Sequence, residues 1–139
     1  VHQFKVSHPN IADSIIMVGP VTDRNELYAY GRKAKIICMT SRSEGACIST
    51  LESMYFGAYP IITKYSDFAL DTTNKGSCGI IVENGNVDEL AQQLSNSMKN
   101  DDLLTNCNES QSYARSTFNY HELAHKLDLF LRRYMRINS

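Results

Sequence analysis

The chain has 139 residues, one domain's worth of sequence, and 42% of them are hydrophobic, enough for a buried core and too many for a disordered chain. Its 14 Lys and Arg against 15 Asp and Glu leave a net charge of −1, which excludes the basic excess that a nucleic-acid surface needs. No apolar run nears the roughly 18 residues of a membrane span, and Val1 opens no signal sequence; a chain that starts without Met is expected to be a fragment of a longer protein.

The first predicted element is "SIIMVG", Ser14–Gly19, a short β-branched run ending in Gly that reads as a buried strand. A helix is expected over Asp23–Ala34, with Asp23 as its cap and Leu27, Tyr30 and Ala34 on one face. "KIICMT", Lys35–Thr40, reads as a second strand, with Cys38 in the core. A short helix follows over Ser49–Gly57, stopped by Gly. "YPIIT", Tyr59–Thr63, is a third strand with Pro60 near its start. A polar loop, Lys64–Cys78, leads to a fourth strand at Gly79–Gly85. Residues 86–100 form an amphipathic helix with Val87, Leu90, Leu94 and Met98 on one stripe. Two further helices, split near Asn119, close the chain, and in the last of them Leu123, Leu127, Phe130, Leu131 and Tyr134 recur at helical spacing.

Apolar strands alternating with helices imply an α/β domain, a Rossmann-like parallel sheet of about four strands flanked by helices, spanning residues 1–139 as one unit. In such sheets ligands sit at the carboxyl ends of the strands, so the loops of interest are Gly19–Asp23, Ser41–Ser49, Lys64–Cys78 and Glu83–Val87. The four cysteines, Cys38, Cys47, Cys78 and Cys107, include no C-x-x-C pair and no adjacent His, so zinc is not expected. They read as reduced thiols in a cytoplasmic setting. His121 and His125 are four apart, yet no third ligand lies near in sequence, and they read as a solvated helix face. Tyr113, Tyr120 and Tyr134 read as packing residues and Lys64 as a surface residue. Arg132, Arg133 and Arg136 make a basic end that complements a helix dipole and could touch an anionic membrane peripherally.

The chemistry centres on Glu44, in the loop after the second strand, and Glu52, within the next helix. Between them "GACIS" offers consecutive backbone N–H groups at a helix N-terminus, suited to an anion, while each carboxylate can accept from sugar hydroxyls. A plain alternative stands beside this. Both Ser41-x-x-Glu44 and Ser49-x-x-Glu52 fit the capping-box pattern, in which Glu52 closes the N-cap of its own helix.

The run S41-R42-S43-E44-G45-A46-C47-I48-S49-T50-L51-E52-S53-M54-Y55-F56-G57 resembles the signature of the retaining glycosyltransferases of family 4, which contains E-x₇-E. "IIMVGPVTDRNELYAYGRKAKIICMTS" resembles that family's strand–helix–strand passage, "GSCGIIVENGNVDELAQQL" its "G-x-x-G-x-L-V-x-x-x-D-x-x-x-L-A", and "ARSTFNY" its closing region, so the likeness covers nearly all of the chain. It implies a partial GT-B C-terminal domain, the donor-binding half of a hexosyltransferase-like enzyme of glycan or polysaccharide synthesis. In that reading Glu44 is the catalytic residue, contacting the donor sugar, and Glu52 holds the ribose. The N–H groups of Gly45, Ala46, Cys47 and Ile48 face sugar and phosphates, and Gly19, Pro20 and Val21 lie beside the base. The partner is a UDP- or GDP-sugar; no cofactor and no metal are implied. The acceptor-binding N-terminal domain and the family's diphosphate-gripping Arg/Lys pair are missing from this sequence, so the chain alone is expected to be inactive and prone to self-association through its last helix. Two departures stand out. Ala46-Cys47 replaces Phe-Gly, so strain or relaxation is expected at Cys47, and Gly57-Ala58-Tyr59-Pro60 is one residue longer than the family's G-x-P. The competing readings are a non-catalytic interaction module that has lost donor binding and an unrelated doubly wound phosphate-binding domain.

Overall fold

A computed structural model describes residues 2–119, 121, 124–125 and 128–132. Its centre is a parallel sheet of three strands, β1 (Ile36–Met39), β2 (Tyr59–Thr63) and β3 (Ile80–Val82), in the order β1-β2-β3. Ile36 stands opposite Tyr59 and Ile61 opposite Ile80. β2 lies between two neighbours and under helices on both faces, so all five of its residues are buried and none alternates with solvent. Pro60 is tolerated in this central strand because of register. Tyr59 N–H is donated to Lys35 on the β1 side, so the N–H that Pro60 lacks would point to the β3 side. There the ladder begins only at Ile61, opposite Ile80. Gly79 lies against that proline: a Cβ on Gly79 would come within 2.5 Å of Pro60 Cγ.

Seven helices are described: α1 (His2–Ser7), α2 (Pro9–Ala12), α3 (Arg24–Lys33), α4 (Ile48–Tyr55), α5 (Phe68–Thr72), α6 (Val87–Lys99) and α7 (Leu103–Thr117). Helices α3, α4 and α5 cover the face that carries Ile37, Met39 and Ile62, where Ile62 packs with Cys47, Tyr65 and Ala69. α6 lies across the face carrying Ile36 and Cys38. α7 ties down the amino edge of the sheet. Its Cys107 thiol donates to Lys35 O, Ser110 hydroxyl to Cys78 O, and Gln111 Nε2 to Tyr55 O. The α/β Rossmann-like class read from the sequence is therefore the one observed, with the break before Asn119 also in place; Asn119 Oδ1 accepts from His121 N–H at 2.9 Å.

Several finer expectations are corrected. Ser14–Gly19 forms no strand; Ile16 is 82% exposed and Met17 65%. A strand needs a neighbour to take its N–H and C=O groups, and none of the described residues pairs with this one. The sheet thus has three strands rather than four. Asp23 caps α3 as expected, its Oδ1 accepting from Asn25 and Glu26 N–H at 2.7 and 3.0 Å. Yet Leu27 and Tyr30 are exposed, because α3 turns Tyr28 and Gly31 inward against Phe56 instead. On α6, Leu90 and Leu94 are partly covered, but Val87 and Met98 are exposed. A helix of 13 residues runs about 20 Å, whereas the three residues of β3 span about 10 Å, so both ends overhang. Cys38 is exposed on the edge strand β1, not in the core. α5 sits within the segment read as a plain loop. Of the closing stripe, Phe130 and Leu131 are exposed, while Leu123, Leu127 and Tyr134, like Tyr120, Arg133 and Arg136, lie outside the described residues.

Candidate functional site

The loop after β1 is held at the carboxyl edge of the sheet by bonds from the ends of both other strands. Thr63, the last residue of β2, donates its hydroxyl to Ser41 O. Asn84, just past β3, donates from Nδ2 to Lys64 O at 2.8 Å and to Arg42 O at 3.4 Å. The first S-x-x-E pattern becomes a side-chain bond across this loop, Ser41 Oγ to Glu44 Oε1 at 2.8 Å, and not a helix cap. Glu44 is half-buried, and among the described residues its carboxylate takes no second hydrogen bond. A shallow depression of about 200 Å³ adjoins the loop, lined by Thr40, Arg42, Thr63, Glu83 and Asn86 among others. Lys64 lies at this rim, exposed, 4.0 Å from Glu83.

α4 begins at Ile48, with Cys47 as N-cap and no side-chain cap. Ser49 therefore lies inside the helix, and the capping box proposed for Ser49 and Glu52 does not form. Cys47 has φ −72°, an ordinary value, so the expected strain is absent: the turn relaxes and needs no left-handed residue. Its side chain is buried, its thiol taking the Thr50 hydroxyl at 3.1 Å, and its backbone N–H faces the Tyr65 hydroxyl. Burial pushes the Tyr65 phenol above its ordinary value, with the bond from Thr72 opposing. The N–H groups of Gly45, Ala46, Ile48 and Ser49 make no hydrogen bond among the described residues, the last two because the first turn of a helix leaves them so.

Glu52 faces elsewhere. Half-buried, it lines two adjoining recesses beside α4, one of about 430 Å³ with Tyr28, Ile48, Leu51, Tyr55, Phe56 and Phe118, the other of about 240 Å³ between α3, α4 and Ile37. Glu44 lines neither. Gly19, Pro20 and Val21 line neither as well; Gly19 adopts φ +78° with open space around it. The structure thus brings Glu44, Gly45, Ala46, Cys47 and Ile48 together at the carboxyl edge. It sets Glu52 at an aromatic recess that Gly19–Val21 do not line. Thr63, Tyr65 and Asn84, which shape the loop, carried no pattern that sequence spacing could detect, whereas Ser41 was visible through its spacing to Glu44. His8 stacks on Phe4, and His121 and His125 are exposed; no group of three potential metal ligands occurs among the described residues. No described helix is long and apolar enough to cross a membrane.

The family model for glycosyl transferases group 1 matches residues 3–115. No curated protein and no solved structure matches the chain. With the match extending over most of its length and the parallel sheet in place, this chain belongs to the group 1 glycosyl transferases, proteins of glycosyl transfer.

Proposed function

We propose that this domain binds the nucleotide-sugar donor of a retaining glycosyl transfer at the carboxyl edge of its sheet, as part of a two-domain enzyme of glycan or polysaccharide synthesis. The observation that carries the reading is Glu44. Its carboxylate is half-buried, anchored through one oxygen by Ser41, and precedes a helix whose leading N–H groups are unengaged. A carboxylate oxygen in this position accepts from donor-sugar hydroxyls. The N–H groups of Ile48 and Ser49, aligned with the α4 dipole, favour the diphosphate and stabilise the charge it gains on leaving. Glu52, beside Tyr28 and Phe56, suits a ribose with its base against the rings.

Titration of the chain with UDP, GDP and their hexose conjugates tests this and selects the base. Glu44→Gln should weaken binding of the sugar conjugate by about tenfold while leaving the free diphosphate little changed, since one charge-assisted bond is lost. Glu52→Gln should weaken both. The alternative, an interaction module, draws on Cys47: with its N–H turned to Tyr65 and its side chain buried, one donor of the expected anion site is withdrawn. Failure of the unaltered chain to bind any nucleoside diphosphate would favour the module.

A further inference from the structure

The amino edge of the sheet, opposite the Glu44 loop, holds a recess of about 360 Å³ where the end of α3, the start of β1, the α4–β2 corner and α7 meet. Its walls include Arg32, Lys33, Lys35, Asn108, Gln111 and Gly57. No acidic side chain lines it, and none of the three cations is in an ion pair among the described residues. Arg32 is steadied over the Phe56 ring, its Cζ 5.6 Å from the centroid. Gln111 is fixed by its bond to Tyr55 O, and Gly57, at φ +101°, lets that amide pass: a Cβ there would meet Gln111 Nε2 at 3.4 Å.

The plain account of Arg32 and Lys33 is that cations in the last turn of α3 complement its dipole. That account does not reach Lys35, which lies beyond the helix, nor the concavity that the three share. We propose that this recess is a second anion site, distinct from the donor edge, that takes a small phosphorylated molecule. Its volume falls within the range of small-molecule pockets, roughly 300–1,000 Å³. Its chemistry is a planar guanidinium, two ammonium groups and the amides of Asn108 and Gln111, a set that serves phosphate oxygens with the first three and hydroxyls with the last two. A phosphate held here would bridge α3, the residue leading into β1, and α7, and so stabilise the folded chain by binding it and not the unfolded one.

The test is amide NMR of the chain at low salt, titrated in separate arms with inorganic phosphate, pyrophosphate, a hexose phosphate, and vesicles of anionic phospholipid. The expected result is shifts at Arg32–Lys35, Asn108 and Gln111 with the soluble phosphates, a rise in Tm, and about tenfold weaker binding in Arg32→Gln/Lys35→Gln. All of it should fade as salt is raised. Both substituted residues are exposed, so the variant should keep its fold. Comparison of the phosphate and hexose phosphate arms shows whether the hydroxyl-binding amides contribute. Three results would overturn the proposal: shifts confined to Ile48–Thr50, an unchanged affinity in the double variant, or a response to vesicles alone.

Discussion

"SIIMVG" and "YPIIT" are equally apolar and comparably β-branched, yet they end in opposite situations. Ile61 and Ile62 of β2 are fully buried, with parallel neighbours on either side. Ile16, Met17 and Val18 are exposed and unpaired. The difference lies in what surrounds each run. Apolar composition makes burial favourable, but a strand also needs a ladder for its backbone and a helix for its side chains. β2 has both. Residues 14–19 have neither among the described residues, so the same pattern yields a mostly exposed segment outside the sheet.

The largest expected contrast is in stability. Ile62→Ala removes a side chain packed among Cys47, Tyr65 and Ala69 and should cost about 2–5 kcal/mol, through lost transfer energy and the cavity left behind. Ile16→Ala should stay within about 0.5 kcal/mol. Urea denaturation of the two variants reads this directly, and comparable losses would mean that residues 14–19 are covered in solution.

Two glycines sharpen the comparison. At Gly79 a Cβ would meet Pro60 Cγ at 2.5 Å, Pro60 O at 2.9 Å and Thr73 Cγ2 at 2.9 Å. Two of these belong to the central strand, whose backbone is fixed from both sides. Gly79→Ala should therefore cost about 1–3 kcal/mol by overpacking. Gly19→Ala meets no atom within 4 Å, and its only cost is the left-handed φ of +78°, about 1 kcal/mol and less if the segment re-forms. The ratio of the two shifts in urea midpoint measures how rigidly each region holds its backbone.

A smaller effect is expected where the two regions join. Asp23 caps α3 directly after the unpaired segment, and Asp23→Ala should lose about 1 kcal/mol. Thermal unfolding followed by circular dichroism checks it. A negligible change would mean that α3 frays independently of the core, consistent with the absence of any buried residue along it.

How much of this was legible follows from the same physics. β2 was readable to the residue because its apolar run coincides with full burial. The cap at Asp23 was readable because it is local. Spacing left capping by Ser49 open because helix start is decided by the turn before it; Cys47, packed under Tyr65 and Ile62, sets the first residue at Ile48. α5 was missed because five residues between polar stretches show no period. Glu44 lies in the loop after β1, at the carboxyl edge, a location that follows from its place after a parallel strand. The separate recess at Glu52 was not foreseeable, because it depends on where α3 and α7 pack. Nor was Asn84's double bond to two other loops, which is long-range and has no sequence signature.

The most gradual effect comes with pH, and it belongs to the core side of the comparison. Burial pushes the Cys107 thiol above its ordinary 9.0, and the Tyr59 and Tyr65 phenols above their ordinary 10.0. Each is an acid whose folded form holds its proton longer than the unfolded chain does. Below about pH 8 both states are protonated and these groups leave stability unchanged. Above it the unfolded chain releases protons first, so stability falls as pH rises, first through the thiols and then through the phenols. Urea midpoints should be flat from pH 7 to about 8 on this account and decline beyond. Cys107→Ala should remove part of the early decline, the rest falling to Cys38, whose thiol partial burial also pushes up, and Tyr65→Phe part of the later one. Residues 2–19 contain neither cysteine nor tyrosine, and an alkaline loss that survived both substitutions undiminished would place its origin outside Cys107 and Tyr65.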